Sequence, residues 1–171
     1  MTGSRVLALD LGSKWIGLAI SNSEGSVAVP RGALRRSGLR TRDHAELARM
    51  VNEDGVRRVV VGLPLSMDGT VGAAAQSALD EMAEMSAVLG VPVEPHDERL
   101  STVSASRSAG LGGYGAAEGS RRQRGGAAAG RRAGRRSASR TERDSGQRDS
   151  RAAAVVLQSY LDLAGSGGGA G

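Results

Sequence analysis

Short apolar runs separated by turn residues dominate the first part of the chain. The first run, 5–10, is continuous rather than alternating, which favours a strand covered on both faces. A turn at 11–13 leads to a second run at 15–21, and we expect the two to pair as a hairpin. Residues 26–34 are a candidate third strand, in which Pro30 indicates an edge position because proline lacks the amide hydrogen that a central strand needs.

The remaining chain alternates helix-like and strand-like segments. Apolar residues three and four apart indicate helices, and β-branched runs indicate strands. The predicted segments are a helix at 42–54, a strand at 58–62, a helix at 71–89 closed by Gly90, a strand at 91–96 with two prolines, a helix beginning at 100–102, and a helix opening at Asp149. Three antiparallel strands followed by β-α-β units predict an α/β fold, with a mixed five-stranded sheet and helices on both faces.

The length of 171 residues predicts a single domain, which we place at 1–164. Within it, 110–148 is a Gly/Ala/Arg/Ser-rich segment with too few apolar residues to order itself, so it is predicted to be a disordered insertion. Residues 165–171 are predicted to be a flexible Gly-rich tail. The insertion carries ten arginines against three acids, whereas the whole chain has a net charge of +5. Its local charge suits contact with phosphates.

The composition excludes several kinds of site. The chain has no cysteine, and His44 and His96 are its two histidines, which excludes thiolate metal sites and disfavours a multi-histidine zinc site. The first residues lack the apolar stretch of a signal peptide, and no run is long enough to span a membrane. These features predict a cytoplasmic protein without a membrane partner.

Three carboxylates lie at predicted strand ends or at a helix start, where catalytic residues often occur. Each position also has a purely structural explanation. Asp10 ends an apolar strand, although it could simply cap the following turn. Glu98 follows the last strand, within a loop that could be solvated or held by a local pairing of Asp97 with Arg99. Asp149 opens the last predicted helix, where an N-cap role would suffice.

The three carboxylates together suggest more than each does alone. If they converge at one sheet edge, they offer the oxygen ligands that Mg²⁺ or Mn²⁺ prefers. In two-metal phosphodiester cleavage, ions about 3.5–4 Å apart activate water and stabilise the leaving oxygen, so no histidine base is needed. That chemistry suits a chain with two histidines and no cysteine.

Four segments of the sequence resemble a known family. They are LALDLGSKWIGLA at 7–19, VVGLPLSMDGT at 60–70, DERLST at 97–102 and DSRAAAVVLQSYL at 149–161. In order and spacing the chain resembles the YqgF (RuvX) family of Holliday junction resolvase-like proteins and pre-16S rRNA nucleases. The resemblance implies an RNase H-like fold. The long segment before 149–161 departs from the family pattern, in which this stretch is short.

The resemblance also implies roles for individual residues. Asp10, Glu98 and Asp149 match the family's catalytic acids and would bind Mg²⁺ or Mn²⁺. The substrate-binding candidates are Gly12, Lys14, Arg99 and Thr102, although Arg99 could equally pair with Asp97. Gly12 and Gly17 suit a tight hairpin where the backbone approaches the substrate.

The carboxylates predict a metal-dependent nuclease, acting as endonuclease or exonuclease, and the resemblance implies that it processes the 5′ end of pre-16S rRNA during ribosome biogenesis. Two alternatives stay open. One is cleavage of branched DNA such as a Holliday junction, which would use the same acids. The other is a non-catalytic factor that binds RNA or the ribosome through the arginine-rich insertion. The partner is thus structured pre-rRNA or branched DNA, and the chain is expected to be a monomer or a homodimer.

Overall fold

One mixed sheet of five strands organises the protein. The computed structural model describes residues 5–97, residue 99 and residues 133–166. Its strands are β1 (Arg5–Leu11), β2 (Trp15–Ser21), β3 (Ala28–Arg35), β4 (Val56–Leu63) and β5 (Val93–Asp97). Their spatial order is β3-β2-β1-β4-β5, with β3, β2 and β1 antiparallel and β1, β4 and β5 parallel. This is the RNase H-like arrangement that the resemblance implies, and both proline-containing strands are edges as predicted.

In the described part of the chain, three helices cover the sheet. They are α1 (Arg40–Glu53), α2 (Ala73–Leu89) and α3 (Ala133–Ser166). Gly90 ends α2 in the left-handed conformation, with φ of 67°, as the sequence predicts for a helix-terminating glycine. None of the helices in the described part of the chain is long and apolar enough to cross a bilayer.

The two faces of the sheet form separate cores because side chains alternate along each strand. Leu7 and Leu9 of β1 pack in the larger core, together with residues of α1 and α2. Val6 and Ala8 point to the other face and pack in the core that includes Leu157 of α3. Helices on both faces therefore explain why the run in β1 is continuously apolar.

Hydrogen bonds from α3 fix it across β2 and β3. The hydroxyl of Ser150 donates to the Leu18 carbonyl and accepts the amide hydrogen of Gly32, both at 3.0 Å. Eight residues further along α3, the side-chain oxygen of Gln158 accepts the amide hydrogen of Ala28 at 2.9 Å. These bonds set the register of α3 along the two strands.

The start of α3 corrects one prediction. The helix begins at Ala133, so Asp149 lies inside it and the N-cap interpretation of Asp149 is wrong. The segment 110–148, predicted to be disordered, is helical from residue 133 onward. Its arginine, alanine and serine residues tolerate a helix, and the helix gains stability from packing of its later turns on the sheet. At the other end, α3 reaches Ser166, two residues into the predicted tail.

Two further predicted segments fall outside the described residues. They are the helix expected from residues 100–102 and the first part of the insertion, 110–132. The last residues of the predicted tail, 167–171, are also outside.

Candidate active site

Asp10 lies near the carboxyl end of the central strand, on the face covered by α3. It follows Val6 and Ala8 in the alternation of β1 and pairs across the ladder with Gly17 of β2. The parallel strands β1, β4 and β5 direct their carboxyl ends to the same edge of the sheet. Asp97, the last residue of β5, therefore lies at the edge where Asp10 stands.

Asp149 reaches this edge because Gly17 lets α3 approach, and its carboxylate then lies beside Gly12. A Cβ atom added to Gly17 would lie 2.0 Å from the carbonyl oxygen of Asp149 and 2.3 Å from its carbonyl carbon. A Cβ atom added to Gly12 would lie 3.8 Å from Oδ2 of Asp149. The backbone of α3 thus rests on Gly17 of β2, the residue that pairs with Asp10. Asp10 and Asp149, two of the three predicted acids, therefore lie together.

The electrostatics of the pair favour a cation. Burial, followed by the negative charge of Asp149, raises the pKa of Asp10 above its ordinary value of 3.8. Within the described residues, neither carboxylate has an ion pair or a side-chain hydrogen bond. Two facing carboxylates without compensation are the kind of oxygen-donor set that holds a hard divalent cation.

The third predicted acid, Glu98, lies outside the described residues, as does Thr102. Among the residues that are described, no group of three or more potential metal ligands occurs. The structure therefore brings together Asp10 and Asp149, and the role of Glu98 stays a prediction from the sequence.

Arg99 adopts the pairing that the sequence left open. Its Nη2 donates to Oδ2 of Asp97 at 2.6 Å and its Nε to Oδ1 at 3.0 Å. The hydrogen bonds from Arg99 hold the pKa of Asp97 below its ordinary range. The guanidinium also lies beside Gly69, whose φ of 83° requires glycine. Arg99 therefore ties the end of β5 to the loop that follows β4.

The other predicted substrate residues lie in the β1–β2 turn. Gly12 is tightly enclosed there, since an added Cβ would lie 2.7 Å from the Trp15 carbonyl oxygen. Lys14 is exposed at the tip, and its carbonyl accepts the amide hydrogen of Arg36 at 2.9 Å. Gly17 is mid-strand rather than in the turn, so what approaches its backbone is α3 rather than a substrate.

A buried polar cluster behind this turn was not predicted. Nε of Arg36 donates to the Gly12 carbonyl at 2.7 Å, while Nη1 and Nη2 donate to the two carboxylate oxygens of Glu81 at 2.7 and 3.0 Å. Nε2 of His44 lies 3.3 Å from the same carboxylate, whose side chain is 4% exposed. Burial alone would raise the pKa of Glu81, but Arg36, His44 and Arg40 together lower it.

The signal for this cluster is visible in the sequence. Glu81 interrupts the apolar stripe of α2 formed by Ala78, Met82 and Met85, where a carboxylate needs a partner. The identity of that partner is not visible, because Arg36 lies 45 residues away, in the segment between β3 and α1.

A known protein family matches most of the chain. Residues 4–129 match the family described as RuvX, Holliday junction resolvase. The chain belongs to the RuvX family. The matched region ends before α3 begins, so the position of Asp149 beside Asp10 is an observation of the structure, independent of the family match.

Curated RuvX relatives carry one shared name. The chain is 48% identical over 103 residues to a protein of Gluconacetobacter diazotrophicus, covering 60% of this chain and 66% of that protein. It is 44% identical over 104 residues to a protein of Myxococcus xanthus, covering 61% and 68%. Both are provisionally named pre-16S rRNA nucleases. The matched part of the chain thus spans about two thirds of the length of these relatives.

Among solved structures, the chain is similar to the RuvC of Thermus thermophilus in complex with Holliday junction substrate. The identity is 16% and the TM-score 0.46, over 59% of this chain and 69% of that one.

Proposed function

We propose that this RuvX-family chain is a divalent-metal-dependent nuclease that hydrolyses phosphodiester bonds in RNA, acting in 5′ maturation of pre-16S rRNA. The observation that carries the proposal is the pair of carboxylates, Asp10 and Asp149, held at the end of the central strand without a compensating cation among the described residues. Repulsion between them costs free energy unless a metal ion or protons compensate, so the arrangement suits a metal site.

Mg²⁺ or Mn²⁺ fits this donor set, and Asp10, Asp149 and Glu98 would hold it. When bound, such an ion supplies Lewis-acid activation of water and neutralises charge on the phosphate. The protein's own part is to keep the acids in place. Gly17 lets α3 seat Asp149, and Arg36 anchors the Gly12 carbonyl in the turn next to Asp10.

RNA is the favoured substrate for two reasons. The curated relatives, 48% and 44% identical to this chain, are named for pre-16S rRNA. In addition, the arginine-rich segment 110–148 supplies positive charge that favours phosphate contacts without reading sequence. The family description favours a second candidate, resolution of a Holliday junction, which would use the same acids.

A side-by-side cleavage assay tests the proposal. The wild-type chain is incubated with a 5′-extended 16S rRNA precursor and with a four-way DNA junction, in Mg²⁺ or Mn²⁺. We expect RNA cleavage that Asp10→Asn, Asp149→Asn and Glu98→Gln each abolish, whereas Asp80→Asn, an exposed carboxylate on α2, cleaves like wild type. Full activity of the Asp10 and Asp149 variants would refute the enzyme proposal. Cutting of the junction with the precursor left intact would refute the RNA assignment.

Metal binding can be measured without cleavage. Mn²⁺ should raise the melting temperature of the wild-type chain, because a ligand that binds only the folded state stabilises it. The same addition should leave the melting temperature of Asp10→Asn and Asp149→Asn nearly unchanged. An equal rise in all three proteins would place the metal elsewhere.

A further inference from the structure

We infer that a cleft beside the acid pair binds a nucleobase by stacking on Trp15, which makes Trp15 a substrate-positioning residue. The inference rests on the proposed function for its substrate class, a single-stranded stretch of nucleic acid. The cleft has a volume of about 500 Å³ and lies between α3, the start of β2 and the edge strand β3. That volume is within the range of small-ligand sites.

The cleft adjoins the acids through two elements. Gly146, Gln147 and Arg151 line it from α3, within one helical turn on either side of Asp149. Ala33 lines it from β3 and pairs with Gly17, the residue on which the Asp149 backbone rests. The cleft and the acid pair are therefore neighbouring features of α3 and β2, close enough for one nucleic-acid strand to contact both.

Small residues keep the cleft open around the indole ring. Gly32 has φ of 98°, which requires glycine, and a Cβ atom there would point into open space. A Cβ atom at Gly146 would lie 3.4 Å from Cβ of Ala33 and 3.8 Å from the Trp15 ring. The absence of side chains at these two positions leaves room beside a flat aromatic surface.

An aromatic and a basic side chain, Trp15 and Arg151, both line the cleft, as a nucleotide site requires. Trp15 is the only tryptophan in a chain whose aromatic content is 2%, and it stands at this cleft. The guanidinium carbon of Arg35 lies 6.0 Å from the centre of its ring. Arg151, also lining the cleft, has no ion-pair partner among the described side chains. An aromatic ring with one guanidinium beside it, in a cleft that a second arginine lines, suits a base that carries its phosphate.

Because every base has a stackable face, we expect the subsite to tolerate all four bases. The subsite would add affinity and position the strand, while the acids determine whether cleavage occurs. This separation makes the inference testable apart from the nuclease proposal.

The single tryptophan provides a direct assay. A fluorescein-labelled RNA of about twelve nucleotides is titrated with the full chain in EDTA. Anisotropy of the label measures binding, and emission of Trp15 is recorded in parallel with unlabelled RNA. We expect Trp15 emission to be quenched along the same binding curve. An otherwise identical abasic strand should bind more weakly and leave the emission unchanged.

Variants complete the test. Trp15→Leu should bind the RNA roughly 5- to 150-fold more weakly, and Trp15→Phe, which keeps a stackable ring, should lose less. Binding of RNA without any change in wild-type Trp15 emission would overturn the inference even if a variant fails to fold. A concentration-dependent change in emission without RNA, accompanied by dimer formation, would instead assign the cleft to contact between copies and also overturn it.

The outcome is separable from that of the proposed function. Asp10→Asn should retain quenching while losing cleavage. Cleavage by wild type without quenching refutes the stacking subsite alone, and quenching with undiminished cleavage by Asp10→Asn refutes the assigned active site alone.

Discussion

Replacing Gly17 with alanine should move Asp149 away from Asp10. The new Cβ atom would lie 2.0 Å from the Asp149 carbonyl oxygen, whereas ordinary contact begins at 3.4 Å. The two backbones must therefore separate by about 1.4 Å. Neither atom belongs to a flexible side chain, so the displacement falls on α3 itself.

The size of the effect follows from what the displacement breaks. Overpacking a well-packed interior costs about 1–3 kcal/mol. Weakening the two Ser150 hydrogen bonds to Gly32 and Leu18 adds about 0.5–1.5 kcal/mol each. We expect an unfolding free energy lower by about 2–6 kcal/mol, which leaves a domain of average stability folded at 25 °C. A misplacement of about 1 Å should reduce the cleavage rate about a hundredfold.

Urea denaturation and single-turnover cleavage measure the two effects. The matched control is Gly165→Ala, which makes the same substitution on α3 where nothing lies within 4 Å of the added atom. It should be neutral, or stabilising by up to about 1 kcal/mol, with unchanged cleavage. If Gly17→Ala matches this control in both measurements, the close approach of α3 does not position Asp149.

Three further predictions concern charge. Asp10→Asn should stabilise the metal-free protein at neutral pH, since the raised pKa of Asp10 means that folding penalises its charged form; the gain, measured by urea denaturation, should vanish below pH 3.8, where Asp10 is protonated in both states. Glu81→Gln should cost about 3–5 kcal/mol by leaving Arg36 buried without its charged partner, whereas Glu84→Gln, whose side chain is 48% exposed, should cost less than about 1 kcal/mol. Because the pKa of Glu81 is lowered by folding, the wild-type advantage should be full above pH 4.5 and shrink at more acidic pH; an equal cost at all pH values would contradict this. Deleting 112–132, which carries five arginines and precedes α3, should retain cleavage and reduce the salt dependence of RNA binding by about 0.7 in log–log slope for each lost phosphate contact; an unchanged slope would argue against that role.

The sheet was predictable because its residues are constrained locally. A continuous apolar run such as 5–10 needs cover on both faces, and Pro30 needs an unpaired edge, so pattern alone led to a mixed sheet with the correct edges. Strand ends were less predictable. β4 begins two residues earlier and ends one residue later than the run 58–62, because hydrogen bonding continues beyond the apolar pattern.

The acidic residues of the site could be predicted from the sequence. The helix and the ion pair that hold them in place could not. A carboxylate ending an apolar strand pointed to Asp10. The start of α3 was missed because 133–148 offers no apolar stripe, and its helix depends on contacts made by later turns. The partnership of Arg36 with Glu81 joins distant parts of the chain, and spacing along a sequence does not reveal such a contact.

The packing of α3 on Gly17 also determines when, during synthesis of the chain, the acid pair can form. A chain is made from its N-terminus, and the strands of the sheet have all been synthesised once residue 97 has been added. Asp149, which completes the pair with Asp10, is added 52 residues later. For an enzyme proposed to cut ribosomal RNA, a nascent chain that has not yet reached Asp149 therefore holds an incomplete acid pair, and the order of synthesis delays the activity until α3 can dock on the sheet.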